Sequence, residues 1–397
     1  MSSQYNLQRL YHFDFLRLFL VLAALLSHYL ISQDWRTLMG TETVSNIRLL
    51  TRMSLPGLLI IFGFMVEYIY ASKWKVKGGA TIFNRMLYRT ILSYLAFVAL
   101  AFVGLLAGHT ELRIFAACIV FLSTSLHAHL FKYYAILIPL TFLLMSVRFK
   151  FGFVAKSVCV AALIATAELL NSADFELHYA LQHFAALTFG YDDILGPSIM
   201  HSFAFVLCGS IAANFILKKK NSYLLALTAM GVTSAVLLGH EIYNIGFSEF
   251  KASIADYDQY RANNSYVYFC YGIVSFLLLW VISMVAAKFL NSKIKNVISV
   301  YGGNTFSIFF FGNMIILLTP NISTNITITL LGLLATLALS LYTLNILNWA
   351  TEKLHWVKMA DIFIKKLNEV LFSFVLRINE IIKGRKKIIT INNKQKR

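Results

Sequence analysis

Ten apolar runs of near-spanning length recur along the chain, at about residues 15–33, 54–71, 90–107, 130–147, 152–170, 199–217, 223–240, 266–288, 304–319 and 326–348. A hydrocarbon core about 30 Å thick takes about 20 helical residues to cross, and inside it every backbone amide must find its partner within the chain. Runs of this length and number point to an all-α polytopic membrane protein of about ten transmembrane helices. Composition agrees, with 58% of 397 residues hydrophobic and 13% charged, against about 45–50% and about 25% in soluble domains. A further run, 114–126, is too short for a comfortable crossing and reads as a re-entrant or interfacial segment. The first run reads as a retained span rather than a cleaved leader, because no small-residue cleavage site follows it and more spans do.

The formal net charge is +17, which in a soluble chain would point to nucleic acid. Ten spans with a cytoplasmic N-terminus give it another meaning. Of the 35 Lys and Arg, 28 then fall on inner loops and the tail, and seven (Arg36, Arg48, Arg52, Arg113, Lys132, Lys251, Arg261) fall outside. This is the bias that orients membrane proteins. A crossing by 114–126 would invert every later loop and oppose it. Both termini are therefore expected in the cytoplasm, and no nucleic-acid partner is expected. Residues 1–348 form the transmembrane domain and 349–397 a basic tail. From Thr351 to about Lys383, Leu354, Val357, Ile364, Leu367, Leu371, Phe374, Ile378 and Ile381 recur at helical spacing, with lysines on the other face. This amphipathic helix lies on the anionic lipids of the inner leaflet or packs on the bundle. Cys118, Cys159, Cys208 and Cys270 sit in apolar stretches without metal-ligand spacing, so buried thiols are expected and no metal.

Ionisable residues inside spans are costly and default to functional candidates. The first span reads Tyr11-His-Phe-Asp14-Phe-Leu-Arg17, then ten residues, then His28. Eleven steps of 100° return to within about 20° of one face, so Arg17 and His28 share a stripe, about 16 Å apart along the axis. Asp14 precedes Arg17 by three residues and can pair with it. A cation at one mouth and a titratable imidazole deep in lipid suit an anionic donor and a base. The plain alternatives are a snorkelling arginine and a packing histidine.

This segment resembles the start of the acyltransferase-3 family, integral membrane proteins that O-acylate sugars and carry an Arg-x10-His signature on the first helix. Other stretches are similar in order. These are 51–64 (TRMSLPGLLIIFGF), Phe83-Asn-Arg85-Met-Leu-Tyr-Arg89, His129-Leu-Phe131, and Tyr301-Gly-Gly-Asn-Thr-Phe-Ser307 through Asn313. The likeness covers about residues 9–320 and is sharpest at 11–28. It implies His28 as the catalytic base or acyl-transfer residue, assisted by Arg17 and Asp14. Arg17 would also hold the donor, acetyl-coenzyme A or another acyl-coenzyme A, with Arg85 and Arg89 on its phosphates. The implied acceptor is a hydroxyl of an exported or lipid-linked glycan, and the implied site a bacterial cytoplasmic membrane. The sequence departs from the family pattern at Phe62 (usually serine), Met86 (often basic) and Asn313 (often histidine).

Among other polar residues, His127, Lys132, Tyr133 and Tyr134 could line a donor or acceptor tunnel or anchor the interface. Glu168, Glu176, His178 and His183 lack metal spacing and read as a solvated loop. The stretch 240–261, with Tyr243, Asn244, Tyr257, Asp258 and Tyr260, has the aromatic and carboxylate character of a sugar-binding surface or of an ordinary exposed loop. Two other classes remain. One is a solute or proton transporter using Arg17, His28, Glu67 and Glu168. The other is a non-catalytic relative, suggested by Phe62 and Asn313.

Overall fold

A computed structural model describes residues 9–146, 153–171, 179–190, 197–256, 259–321 and 325–395. Among these residues all regular structure is helical. The helices that build the site are α1 (Tyr11–Ser32), α2 (Ser54–Met65), α3 (Gly79–Leu106), α4 (His129–Ser146), α5 (Ile199–Lys218), α6 (Tyr266–Phe289), α7 (Ser292–Gly303) and α8 (Thr305–Leu318). A last helix, α9, spans His355–Gln395.

Among the described residues, seven helical stretches are long and apolar enough to cross a membrane, and α7 with α8 makes an eighth if that pair, bent by 67°, is one span. The seven include α1, α3, α5, α6, Asn221–Ile245, Ile326–Lys353 and a composite stretch Thr41–Trp74 that contains α2. The other two apolar runs lie on α4 and on Phe153–Asn171, of 18 and 19 residues. The protein is thus an all-α, multi-pass membrane protein. Its surface shows the same thing. Leu224, Leu225, Val232 and Val236 of Asn221–Ile245 are exposed, as are Leu278, Val281 and Val285 of α6 and Leu331 and Leu334 of Ile326–Lys353, while Asp14, His201, Asn214 and Asn313 are buried. Apolar outside and polar inside is the arrangement lipid selects.

The composite stretch runs further than its apolar sequence. Helical backbone continues through a π-helical turn at Val66–Ala71, past Glu67, into Ser72–Lys77. In lipid the backbone must stay paired whatever side chains it carries. Glu67 is accommodated by Lys156, whose ammonium donates to it at 3.2 Å, and by Ser210, which donates at 2.9 Å.

Tight packing of α2 on α5 fixes the centre of the bundle. A Cβ on Gly63 would fall on the Val206 carbonyl, and one on Gly209 would fall on the Ile60 carbonyl. Two small residues facing two carbonyls let the backbones touch, which is how helices associate where lipid removes the hydrophobic driving force. Side-chain caps begin several elements: Ser198 accepts from the His201 amide before α5, Ser265 from Val267 before α6, and Asn291 from Ile294 before α7. These satisfy amides that a helix start leaves unpaired.

Between α3 and α4 lies an eight-residue helix, Leu112–Ile119, about 12 Å long and too short to cross. The chain then returns without regular structure to His129. Lys132 ties this return down by donating to the Ser123 carbonyl (3.1 Å) and the Thr124 hydroxyl (2.9 Å). The C-terminal helix α9 packs on the start of α3. Asn368 donates to Asn84 at 2.6 Å, Tyr88 donates to Asp361 at 3.4 Å, and Phe372 lies 5.7 Å from Phe83. Cys118, Cys208 and Cys270 are buried, Cys159 is partly so, and all four are free thiols.

Candidate active site

The site is organised by α1 running beside α7 and α8. Near one end, Asp14 is buried and accepts from Arg17 at 2.6 Å and from Arg9 at 2.8 Å, with the Ser299 hydroxyl at 3.2 Å. The expected pair between Asp14 and Arg17 is thus formed, and Asp14 acts as an anchor there rather than at His28. Gly302 allows it, because a Cβ at that position would collide with the Asp14 backbone. Toward the other end, His28 Nδ1 lies 2.7 Å from Asn313 Oδ1. Both contacts between the two segments, Asp14 with Ser299 and His28 with Asn313, join residues 285 apart, so the segments run parallel and in step. The break at Asn304 redirects the chain between them.

The Asn313 amide also donates from Nδ2 to the Phe309 carbonyl at 2.8 Å. That bond fixes which end of the amide faces His28. The oxygen does, so Nδ1 must carry the ring proton and Nε2 keeps its lone pair. A buried imidazole held in one neutral tautomer, with the other nitrogen open, is the form a general base requires. Replacing Asn313 by Leu removes the acceptor but keeps the packing. Loss of one buried hydrogen bond is expected to cost about 1–3 kcal/mol of stability. Thermal unfolding of the variant beside the wild type in one detergent checks this.

Two neighbouring cavities meet α1. The larger, of about 310 Å³, is lined by Arg17, Arg89, Phe62, Met86, Tyr134 and Phe306 among others. The smaller, of about 70 Å³, is lined by His28, His127, His129, Arg52, Arg261 and Ser54 among others. Leu58, Leu130 and Phe309 border both, so these apolar side chains stand between them. The shared stripe of Arg17 and His28 therefore places one residue at each chamber.

Comparison with protein-family models, with curated proteins and with solved structures gives no match. The residues themselves carry the case.

Of the residues singled out in the sequence, Arg17, Arg89 and His28 line the two chambers, and Arg85 is exposed and does not line either one. Phe62 and Met86, two of the departures from the family pattern, fill wall space in the larger chamber, and the Phe62 ring lies 5.3 Å from that of Tyr134. Tyr133 is core, and Lys132 is the tie described above. Glu168 accepts from the Tyr266 amide at the start of α6, a structural cap. Glu176, His178, Tyr257 and Asp258 lie outside the described residues, while Tyr260 donates to Glu241 at 2.6 Å. Among the described residues no three His, Cys, Asp or Glu side chains come close enough to share a metal ion. Arg52, His129 and Asn313 fall in stretches that the family resemblance had marked, but that they would meet His28, with Arg261 beside them, had no local signal, because each reaches the site from a different part of the chain.

Proposed function

We propose that this protein is a membrane-bound O-acyltransferase that moves an acyl group from acyl-coenzyme A to a hydroxyl of an exported or lipid-linked glycan. The observation that carries this reading is the open Nε2 of His28, with its tautomer set by Asn313, facing a small polar chamber separated by apolar side chains from a larger chamber headed by Arg17. Positive-inside bias favours a cytoplasmic Arg17 end, with both termini on that side, and the family resemblance favours a bacterial cytoplasmic membrane. Donor phosphates would meet Arg17 and Arg89, with Arg85 beyond. The larger chamber holds roughly ten waters' worth of volume at about 30 Å³ each, enough for the thioester end of the coenzyme's arm. Acetyl-coenzyme A is the donor we favour.

In the reaction, the acceptor oxygen bonds to the thioester carbonyl carbon as its proton passes to His28 Nε2. The carbon–sulfur bond then breaks, and the imidazolium returns the proton to the departing thiolate. The products are an acyl ester and free coenzyme A. His28 ends as it began, neutral with Nδ1 protonated.

The test is mass spectrometry of surface polysaccharide from cells with and without the protein, combined with transfer of label from acyl-coenzyme A in isolated membranes. A mass increment lost on deletion identifies the acyl group and the acceptor together. Identical polysaccharide and no label transfer would remove the assignment. Two chambers either side of an apolar constriction also favour a second reading, a solute path. Flux in proteoliposomes without acyl-coenzyme A would select it.

A further inference from the structure

His127 enters the smaller chamber from the return segment before α4, and three independent features hold it against His28. Its ring stacks on that of His28, with centroids 4.2 Å apart and planes 24° apart. Its Nε2 lies 3.1 Å from the Ser32 hydroxyl, one turn beyond His28 on α1. Its backbone is left-handed, with φ of 61°, a conformation uncommon outside glycine that persists only where its surroundings impose it. Here the surroundings do so: Lys132 grips Ser123 and Thr124, Thr110 and Ser125 share a hydrogen bond of 3.2 Å, and Ala128 is buried.

We infer that His127 is a positioning residue whose ring face stabilises His28 in its protonated form during acyl transfer. The inference rests on the acyltransferase reading. When the acceptor hydroxyl gives its proton to His28 Nε2, a full positive charge appears on that ring inside the smaller chamber. Asn313 serves the neutral ring, accepting one hydrogen bond from Nδ1 before and after. The charge also needs a polarisable face, and an aromatic face over a cation supplies it. Ser32 keeps the His127 ring parallel, so no reorganisation is needed when the charge forms. The proton goes from the acceptor oxygen to His28 and on to the thiolate. His127 neither gains nor loses one.

The experiment uses the full-length protein in isolated membranes and follows transfer of label from acetyl-coenzyme A to the saccharides those membranes contain. His127→Phe keeps an aromatic face, and His127→Leu keeps bulk without one. His127→Phe is expected to retain kcat within about threefold, while His127→Leu loses about tenfold or more, with donor KM unchanged in both. Ser32→Ala, which releases the ring without touching the return segment, is expected to lose a few-fold. Equal kcat for the Phe and Leu variants, high or low, overturns the role. A rise in KM without a fall in kcat also overturns it, since that marks a binding residue. A separate readout needs no turnover: the His28 ring protons should show an upfield ring-current shift in histidine-labelled protein, retained in His127→Phe and lost in His127→Leu. If the wild-type protein shows that shift but transfers no acyl group, the acyltransferase reading fails and this role fails with it, while the stack stands as packing. If it transfers and the shift is absent, only the His127 inference fails.

Discussion

If the proposed acyltransferase reading holds, replacing His28 by Gln is expected to lower acyl transfer by about 10²–10⁴-fold. Gln is the sharper choice than Ala. Its length approximates that of the imidazole and its amide can still donate to Asn313 Oδ1, so the chamber keeps its shape, but it cannot take up a proton. A structural histidine would tolerate this change, and a base would not. Binding of the donor should hardly respond, because Arg17 sits about 16 Å away along the helix, on the other chamber. Equilibrium binding of acyl-coenzyme A within about threefold of wild type, alongside lost transfer, is the expected pair of results. Retained transfer in His28→Gln would remove His28 from the chemistry altogether. His28→Ala should behave alike in transfer but lose some stability through the cavity it leaves.

Replacing Gly209 by Val is expected to have the largest effect on stability. The added Cβ falls on the Ile60 carbonyl, which is backbone and cannot swing aside, so α2 and α5 must separate. Overpacking of this kind costs about 3 kcal/mol or more. In lipid the cost is not offset by other apolar surface, since packing itself is the force that holds helices together. Gly239 supplies the control. It lies in Asn221–Ile245 with nothing within 4 Å of its added Cβ, so the same change there should be neutral or slightly stabilising, given the poor helix propensity of glycine. Thermal unfolding of both variants in one detergent makes the comparison, and equal melting temperatures would contradict the close crossing. Because α2 carries Leu58 and Phe62 into the chamber walls, Gly209→Val should also lower activity in whatever fraction still folds.

Much of this molecule was legible in order along the chain, and the reasons are local. The long apolar runs specified helices because lipid allows little else, and seven such stretches stand out in the structure, eight with the bent pair. The tie between Asp14 and Arg17 could be read from a spacing of three, and the common face of Arg17 and His28 from a spacing of eleven, since helical geometry alone decides both. Run 304–319 coincides with α8, which has 14 residues and reaches spanning length only together with α7, across a 67° bend at Gly303 and Asn304, just where the run begins. The tail is legible as amphipathic; the structure adds that Asn368 meets Asn84 of the bundle while Phe363, Val370 and Phe374 stay exposed.

The sequence by itself determined that this chain lives in a membrane, which residues of its first helix share a face, and where charges are too costly to be idle. Those follow from the solvent and from the period of one helix. The tertiary structure decided what His28 can do. Its tautomer depends on Asn313, its stacked neighbour is His127, and its chamber is closed by Arg52, Arg261 and His129, all of them distant in sequence. No spacing rule reaches across helices. Only close packing, permitted by Gly63, Gly209 and Gly302, brought those side chains to one imidazole.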